Sequence, residues 1–258
     1  MDKELLKITF LGTGTSQGIP VIGCTHEVCL SDDPKDNRLR SSVLLEWNDK
    51  KYVIDCGPDF RQQMIRAGVS RLDGILFTHF HADHTAGLDD TRPFTQRYGK
   101  LPIYGKKDVI DNLIKRFDYI FETRNKYYGA PDLDINIIDN ELFRLKDTGI
   151  IPIEVKHGKL LILGFRIMNF AYITDAKKIS DKEKKKLKGI EILVVNALRK
   201  EPHPTHYNLE EALQLISEIK PQKTYLTHIS HRMGLHAEVS KILPENVFLA
   251  YDGLQLKL

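Results

Sequence analysis

Three histidines and an aspartate fall within six residues in Thr78-His79-Phe80-His81-Ala82-Asp83-His84, directly after the apolar run Gly74-Ile-Leu-Phe. Imidazole nitrogens suit zinc or iron, and a carboxylate among them adds a hard anionic oxygen that can neutralise a second cation. A strand that stops in a tight loop would aim these four side chains into one cleft at the end of a sheet. Cys24-Thr-His26-Glu-Val-Cys29 gathers three more soft or borderline ligands in six residues, on a loop beside the first expected strand. The chain of 258 residues has ten histidines but only three cysteines. Three cysteines cannot build a disulfide framework, so they read as metal ligands or buried thiols. Cys56, following Asp55 at a strand end, reads as a buried small residue.

Residues of this kind need a rigid frame. A hydrophobic fraction of 41% against 28% charged is the balance of a soluble globular protein, which excludes disorder and fibres. No apolar run approaches the roughly 18 residues of a membrane span, and the first ten residues lack an apolar signal-peptide core. A cytoplasmic, membrane-free location is therefore expected. A net charge of +3 leaves the partner open, short of the basic footprint of nucleic-acid binders.

Short β-branched or apolar runs bounded by turn residues predict strands at Ile8 to Leu11, Val43 to Glu46, Tyr52 to Ile54, Ile75 to Phe77, Ile151 to Val155, Leu161 to Phe170, Ile190 to Val195, Thr224 to Leu226 and Val247 to Tyr251. Pro58 and Gly68 frame one helix, Ser180-x-x-Glu183 opens a second that stops at Gly189, and Asn208-x-x-Glu211 opens a third that runs to Pro221. The pattern predicts an α/β or α+β protein with two sheets and outer helices. No repeat, linker or shift in composition marks a boundary, so residues 1–258 read as a single domain. An aromatic-rich insert at 94–145 reads as a small packed subdomain, a lid or a dimer surface. The lysine-rich stretch Lys177 to Lys188 reads as a solvated helix face.

His79-x-His81-x-Asp83-His84 resembles the signature of the metallo-β-lactamase superfamily. His157 in Val155-Lys-His-Gly, Asp175 in Tyr172-Ile-Thr-Asp and His228 in Leu226-Thr-His-Ile-Ser-His match its remaining ligands in the right order. The resemblance spans nearly the whole chain and implies a four-layer αββα sandwich with a dinuclear site. His79, His81 and His157 would hold one divalent ion, Asp83, His84 and His228 the other, with Asp175 bridging both. Two such ions, of zinc or manganese, lie about 3.5–4 Å apart, share a hydroxide and clamp the attacking and leaving oxygens. Metal binding pulls the pKa of water toward about 7, so no side-chain base is needed.

The ligand set also separates branches of the superfamily. Redox di-iron members carry a glutamate where this chain has His81, and the lactamases use a cysteine at the second metal. Five histidines and two aspartates match the phosphodiester and thioester hydrolases instead. Phe10-Leu-Gly-Thr-Gly-Thr-Ser-Gln-Gly-Ile-Pro resembles the N-terminal strand of the cyclic phosphodiesterases of phosphonate breakdown and their transfer-RNA-processing cousins. Its glycine spacing is wrong for a dinucleotide fingerprint. Residues His79 to Phe94 are similar to the cyclic phosphodiesterase subfamily, and His206 stands where those enzymes place a histidine near the metals, a candidate general acid beside Asp83 among the catalytic residues.

The same resemblance implies a structural zinc on Cys24, His26, Cys29 and His231, with His26 in place of the family's cysteine. Only residues 158–174 separate His157 from Asp175, too few for a transfer-RNA-gripping arm, and the thirty residues after His228 are too few for a thioesterase's helical domain. The expected function is hydrolysis of small phosphodiesters, cyclic ribose phosphates among them, by a homodimer that does not bind nucleic acid. A transfer-RNA 3′-processing endonuclease and a non-catalytic quinone-binding carrier of the same fold are the alternatives.

Overall fold

A computed structural model describes residues 5–124 and 127–258. The chain forms two compact units, and each draws on separated stretches of sequence, which is why composition marks no boundary.

The first unit takes the chain up to Gly12, Arg40–Asp139 and Gly253–Leu258. Its strands are β1 (Lys7–Gly12), β2 (Ser42–Trp47), β3 (Lys50–Ile54), β4 (Gly74–Leu76), β5 (Leu101–Gly105) and β6 (Leu133–Ile137). They lie side by side in that order, and Gln255–Lys257 joins the outer edge of β1. β1, β2 and β3 pair antiparallel, whereas β3 through β6 run parallel. Ile75 and Leu76 of β4 are fully buried, as expected of a parallel strand covered on both faces. Helices α1 (Phe60–Arg66), α2 (Ala82–Thr85), α3 (Arg92–Tyr98), α4 (Lys107–Arg116) and α5 (Asp118–Phe121) complete the unit. Phe60, Phe94, Leu113 and Ile120 join Val53, Ile75 and Ile103 in one apolar cluster.

The second unit takes Thr13–Leu39 and Asn140–Asp252. Its strands are β7 (Phe143–Leu145), β8 (Thr148–His157), β9 (Leu160–Ile167), β10 (Phe170–Ile173), β11 (Lys178–Ile179), β12 (Ile192–Asn196), β13 (Lys223–Thr227) and β14 (Val247–Leu249). The sheet order is β11-β8-β9-β10-β12-β13-β14, with β7 paired to β8. Again an antiparallel side (β8, β9, β10) meets a parallel side (β10, β12, β13, β14). α7 (Leu209–Ile219) follows α6 (Asp181–Lys185) and precedes α8 (His236–Ile242). The Asn208 capping box is complete, whereas at Ser180 only the forward bond to the Glu183 N–H forms. The Glu183 carboxylate instead takes Lys186, Asn140 and the Glu154 N–H.

Two expectations are corrected. The run Leu161 to Phe170 is two strands, because Met168 takes a left-handed backbone, φ 53°, and turns the chain between Ile167 and Phe170. The stretch 94–145 is no separate insert: it supplies β5, β6, α4 and α5 to one unit and β7 to the other. Phe94 is buried and Phe117 and Phe121 pack on the same apolar cluster, while Tyr127 and Tyr128 are exposed. The lysine-rich stretch is a paired surface, with Lys177 on Glu211 and Lys184 on Glu218.

Candidate active site

The predicted ligands follow strand ends. In open parallel sheets the carboxyl ends of the strands are where ligands gather. Three non-glycine residues there have left-handed backbones: Asp55 after β3 (φ 65°), Asp175 after β10 (φ 56°) and His228 after β13 (φ 54°). Aspartate and histidine tolerate this region better than most side chains, and strain of this kind, of order 1–3 kcal/mol each, concentrates at functional sites.

In the first unit, β4 delivers Thr78 and His79, and α2 starts at once with Ala82, so that His81, Asp83 and His84 occupy a single turn. Asp55, fully buried, organises them. Its carboxylate accepts from the Thr78 N–H (2.8 Å), the Thr78 hydroxyl (2.8 Å) and His84 Nδ1 (2.7 Å). Having donated to Asp55, the Thr78 hydroxyl is left to accept from His79 Nδ1 at 3.0 Å. Both histidines therefore carry their proton on Nδ1 and present Nε2 lone pairs. His79 Nε2 lies 3.0 Å from His81 Nδ1, and His84 Nε2 lies 3.2 Å from Asp83 Oδ2. Burial pushes the Asp55 carboxyl up, and the His84 ring and Thr78 donors pull it back.

Glycines set the fit of this turn. A Cβ on Gly57 would stand 2.1 Å from the Asp83 carbonyl oxygen, and one on Gly87 would stand 2.2 Å from that of Gly57. The Cys56 N–H donates to the His84 carbonyl at 2.7 Å, and its side chain is a buried thiol, as expected.

In the second unit, His157 ends β8 and donates from Nδ1 to the Thr205 carbonyl at 3.0 Å, so that its lone pair is on Nε2. Asp175 accepts from the Thr174 hydroxyl at 2.6 Å. The buried Asn196 at the end of β12 holds the next residue, Ala176, through its N–H (2.7 Å) and carbonyl (3.0 Å). His206 Nε2 and His228 Nε2 converge on Asp175 Oδ1 at 2.9 and 3.1 Å. His157, Asp175 and His206 thus bring ligand atoms within 4.8 Å of one another, and the His206 and His228 rings stack with centroids 5.0 Å apart. Burial, helped by His228 and His157 and opposed by Asp175, lowers the pKa of His206 to about 4. At neutral pH it is uncharged, and facing a carboxylate its single N–H sits on Nε2.

Cys24, Cys29 and His231 also gather, with ligand atoms within 4.8 Å. His231 Nδ1 is buried and has no hydrogen-bond partner among the described residues, as suits a ligand to zinc. His26 stands beside them, its ring centroid 5.2 Å from that of His231. Its Nδ1 accepts from the Val28 N–H at 3.3 Å, capping the helical turn Glu27–Leu30.

Sequence reasoning missed Asp55, Thr205 and Asn196. Asp55 carried a readable signal, a carboxylate at the end of an apolar strand. Thr205 acts through its backbone carbonyl and had none. Nor did the sequence account for His203 and His236: His203 Nδ1 lies 3.1 Å from His206 Nδ1, and His236 Nδ1 lies 3.1 Å from the buried Arg38 guanidinium.

The model of the Beta-lactamase superfamily domain matches residues 50–229. The crystal structure of a diphosphatase from the PhnP family superposes with a TM-score of 0.92 at 40% sequence identity, covering 98% of this chain and 97% of that one. An octanoyltransferase of Porphyromonas gingivalis is 39% identical over 253 residues, 97% of this chain and 51% of its own length. A ribonuclease Z of Methanosarcina acetivorans is 38% identical over 144 residues, 53% of this chain and 42% of its own. The chain thus spans about half the length, or less, of these curated relatives. The fold is the expected metallo-β-lactamase fold, mixed α/β with two sheets and helices, and the chain belongs to the β-lactamase superfamily and, within it, to the PhnP family.

Proposed function

We propose that the chain hydrolyses small phosphodiesters with two divalent metal ions, zinc or manganese. His79, His81 and His157 would hold one, Asp83, His84 and His228 the other, and Asp175 would serve both; Cys24, Cys29 and His231, with His26 beside them, would hold a structural zinc. The observation that carries this reading is that His79, His84 and His157 each have Nδ1 tied to an acceptor, which leaves Nε2 as the ligating atom. Histidines that bind metals are held in this way. When bound, the ions supply Lewis acidity and a water acidic enough to attack at neutral pH.

The protein's own part is placement and proton handling. Asp55 fixes the tautomers of His79 and His84. His206 holds an Nε2–H beside Asp175, where it can donate to the leaving oxygen. Substrates with a phosphate linked on two sides fit the site class, and similarity to the PhnP-family diphosphatase supports hydrolysis at phosphorus. Nucleic acid is not the proposed partner: residues 158–174 are taken up by the β9–β10 hairpin and its flanking turns. Octanoyl transfer is left with the longer Porphyromonas protein. Homodimerisation is part of the same proposal.

A turnover screen over cyclic ribose phosphates, cyclic nucleotides, linear diesters and diphosphate diesters tests the reading. Hydrolysis of one or more phosphodiesters is expected, with about two active-site metals and one structural zinc per chain. Diphosphate cleavage alone would reassign the substrate class, and one metal or none under replete conditions would sink the two-metal arrangement.

Asp55→Asn is expected to weaken metal binding by about 10–100-fold. An oxygen must still face the Thr78 N–H, so the amide NH₂ turns toward His84 Nδ1 and moves the ring proton to Nε2. Chelator competition measures the change, and an affinity equal to that of the parent would remove Asp55 from this role.

A further inference from the structure

The corner between α4 and α5 touches the metal-binding turn at two points. Arg116, in the last turn of α4, donates from Nη1 to the Phe80 carbonyl at 3.2 Å and to Thr85 Oγ1 at 2.8 Å. The Thr85 hydroxyl passes this contact on, donating to the His81 carbonyl at 2.8 Å. Both carbonyls thus fixed belong to the stretch between His79 and Asp83. On α5, the Tyr119 hydroxyl donates to Asp89 Oδ1 at 2.5 Å, the same oxygen that accepts from Arg92 Nε at 3.0 Å and Nη2 at 2.6 Å.

An arginine usually finds a carboxylate or phosphate for its fork of donors. Arg116 has no carboxylate partner among the described residues; its contacts are this carbonyl, this hydroxyl and the Phe117 ring, 5.5 Å from its guanidinium carbon. The corner itself is anchored: Leu113 and Ile120 are buried, and Phe117 and Phe121 pack on the same apolar cluster. A charged donor carried on a packed element, holding one loop carbonyl directly and a second through the Thr85 hydroxyl, is a brace.

We propose that Arg116 and Tyr119 are positioning residues that hold residues 80–89 in the shape that binds metal. Their removal lowers metal affinity and not the stability of the fold. The proposal rests on the metal-hydrolase reading above. It gives the α4–α5 stretch a task distinct from a lid: a metal site is only as tight as the shell that keeps its ligands in place.

The test is chelator competition for zinc and manganese on the full-length chain, with thermal melting of the metal-stripped protein beside it. Arg116→Ala is expected to bind metal about tenfold more weakly, with Arg116→Lys intermediate because an ammonium can still reach one acceptor. Tyr119→Phe is expected to lose a few-fold, and the metal-stripped variants to melt within about 2 °C of the parent, as small surface changes do. Parent-like affinity in both Arg116→Ala and Tyr119→Phe, or a large drop in metal-stripped melting temperature, would overturn the brace and leave the metal reading standing. A parent chain that binds no metal would overturn both.

Discussion

Asp175→Ala is expected to cut turnover of a chromogenic phosphodiester by about a thousandfold or more, the equivalent of about 4 kcal/mol in the barrier. Asp175 is the proposed shared ligand, so one substitution takes an anionic oxygen from both ions. It also removes the acceptor of His206 and the carboxylate oxygen 3.1 Å from His228 Nε2. The His206 ring, stacked on that of His228, then loses the partner that holds its Nε2. The backbone adds a further cost, because alanine tolerates the left-handed conformation at φ 56° less well than aspartate. Asp175→Asn separates these effects: it keeps the backbone preference and most of the shape but removes the charge. Both variants are expected to be equally dead, with Asp175→Asn retaining the parent's melting temperature. An Asp175→Ala protein as active as the parent would remove Asp175 from the bridging role.

The proposed metal-ligand positions could be picked out in the sequence because their residue types are rare and closely spaced: His81, Asp83 and His84 fall in one turn after His79, and the other candidates sit at strand ends. What surrounds them was not legible, for a physical reason. Asp55 meets His84 across 29 positions of sequence, and that contact exists only once β3 and β4 lie parallel. Thr205 contributes a carbonyl oxygen, which every residue has. His26 adds a contact that spacing does not show: its Nδ1 caps a helical turn beside Cys24, Cys29 and His231.

The same division runs through the fold. Strands built from β-branched runs were found, whereas β5 contains Pro102, and β6, Leu-Asp-Ile-Asn-Ile, alternates too briefly to stand out. Pro102 is tolerated because the Leu101 N–H donates on the β6 side, which leaves the Pro102 nitrogen on the β4 side, and β4 pairs with β5 only from Ile103 onward. The two aromatic clusters of 94–145 look alike in sequence but differ in the structure. Phe117 and Phe121 pack inward, and Tyr127 and Tyr128 are exposed.

His206→Ala is the sharper test of mechanism, since it leaves every proposed ligand in place. A positioned acid is typically worth about 10²–10⁴-fold. With a pKa of about 4, His206 is uncharged at neutral pH, and it assists the leaving oxygen through its Nε2–H without being an imidazolium. The expected loss is therefore at the low end, about a hundredfold. It should depend on the leaving group. A p-nitrophenolate needs little help to depart and should lose only a few-fold, whereas an alkoxide from a sugar or alkyl diester should lose the full amount. His206→Gln retains an N–H donor in the same region and should recover part of the alkyl-diester rate. Equal losses on both substrates, with no recovery in His206→Gln, would make His206 a support for the Asp175 carboxylate and not a donor to the leaving group.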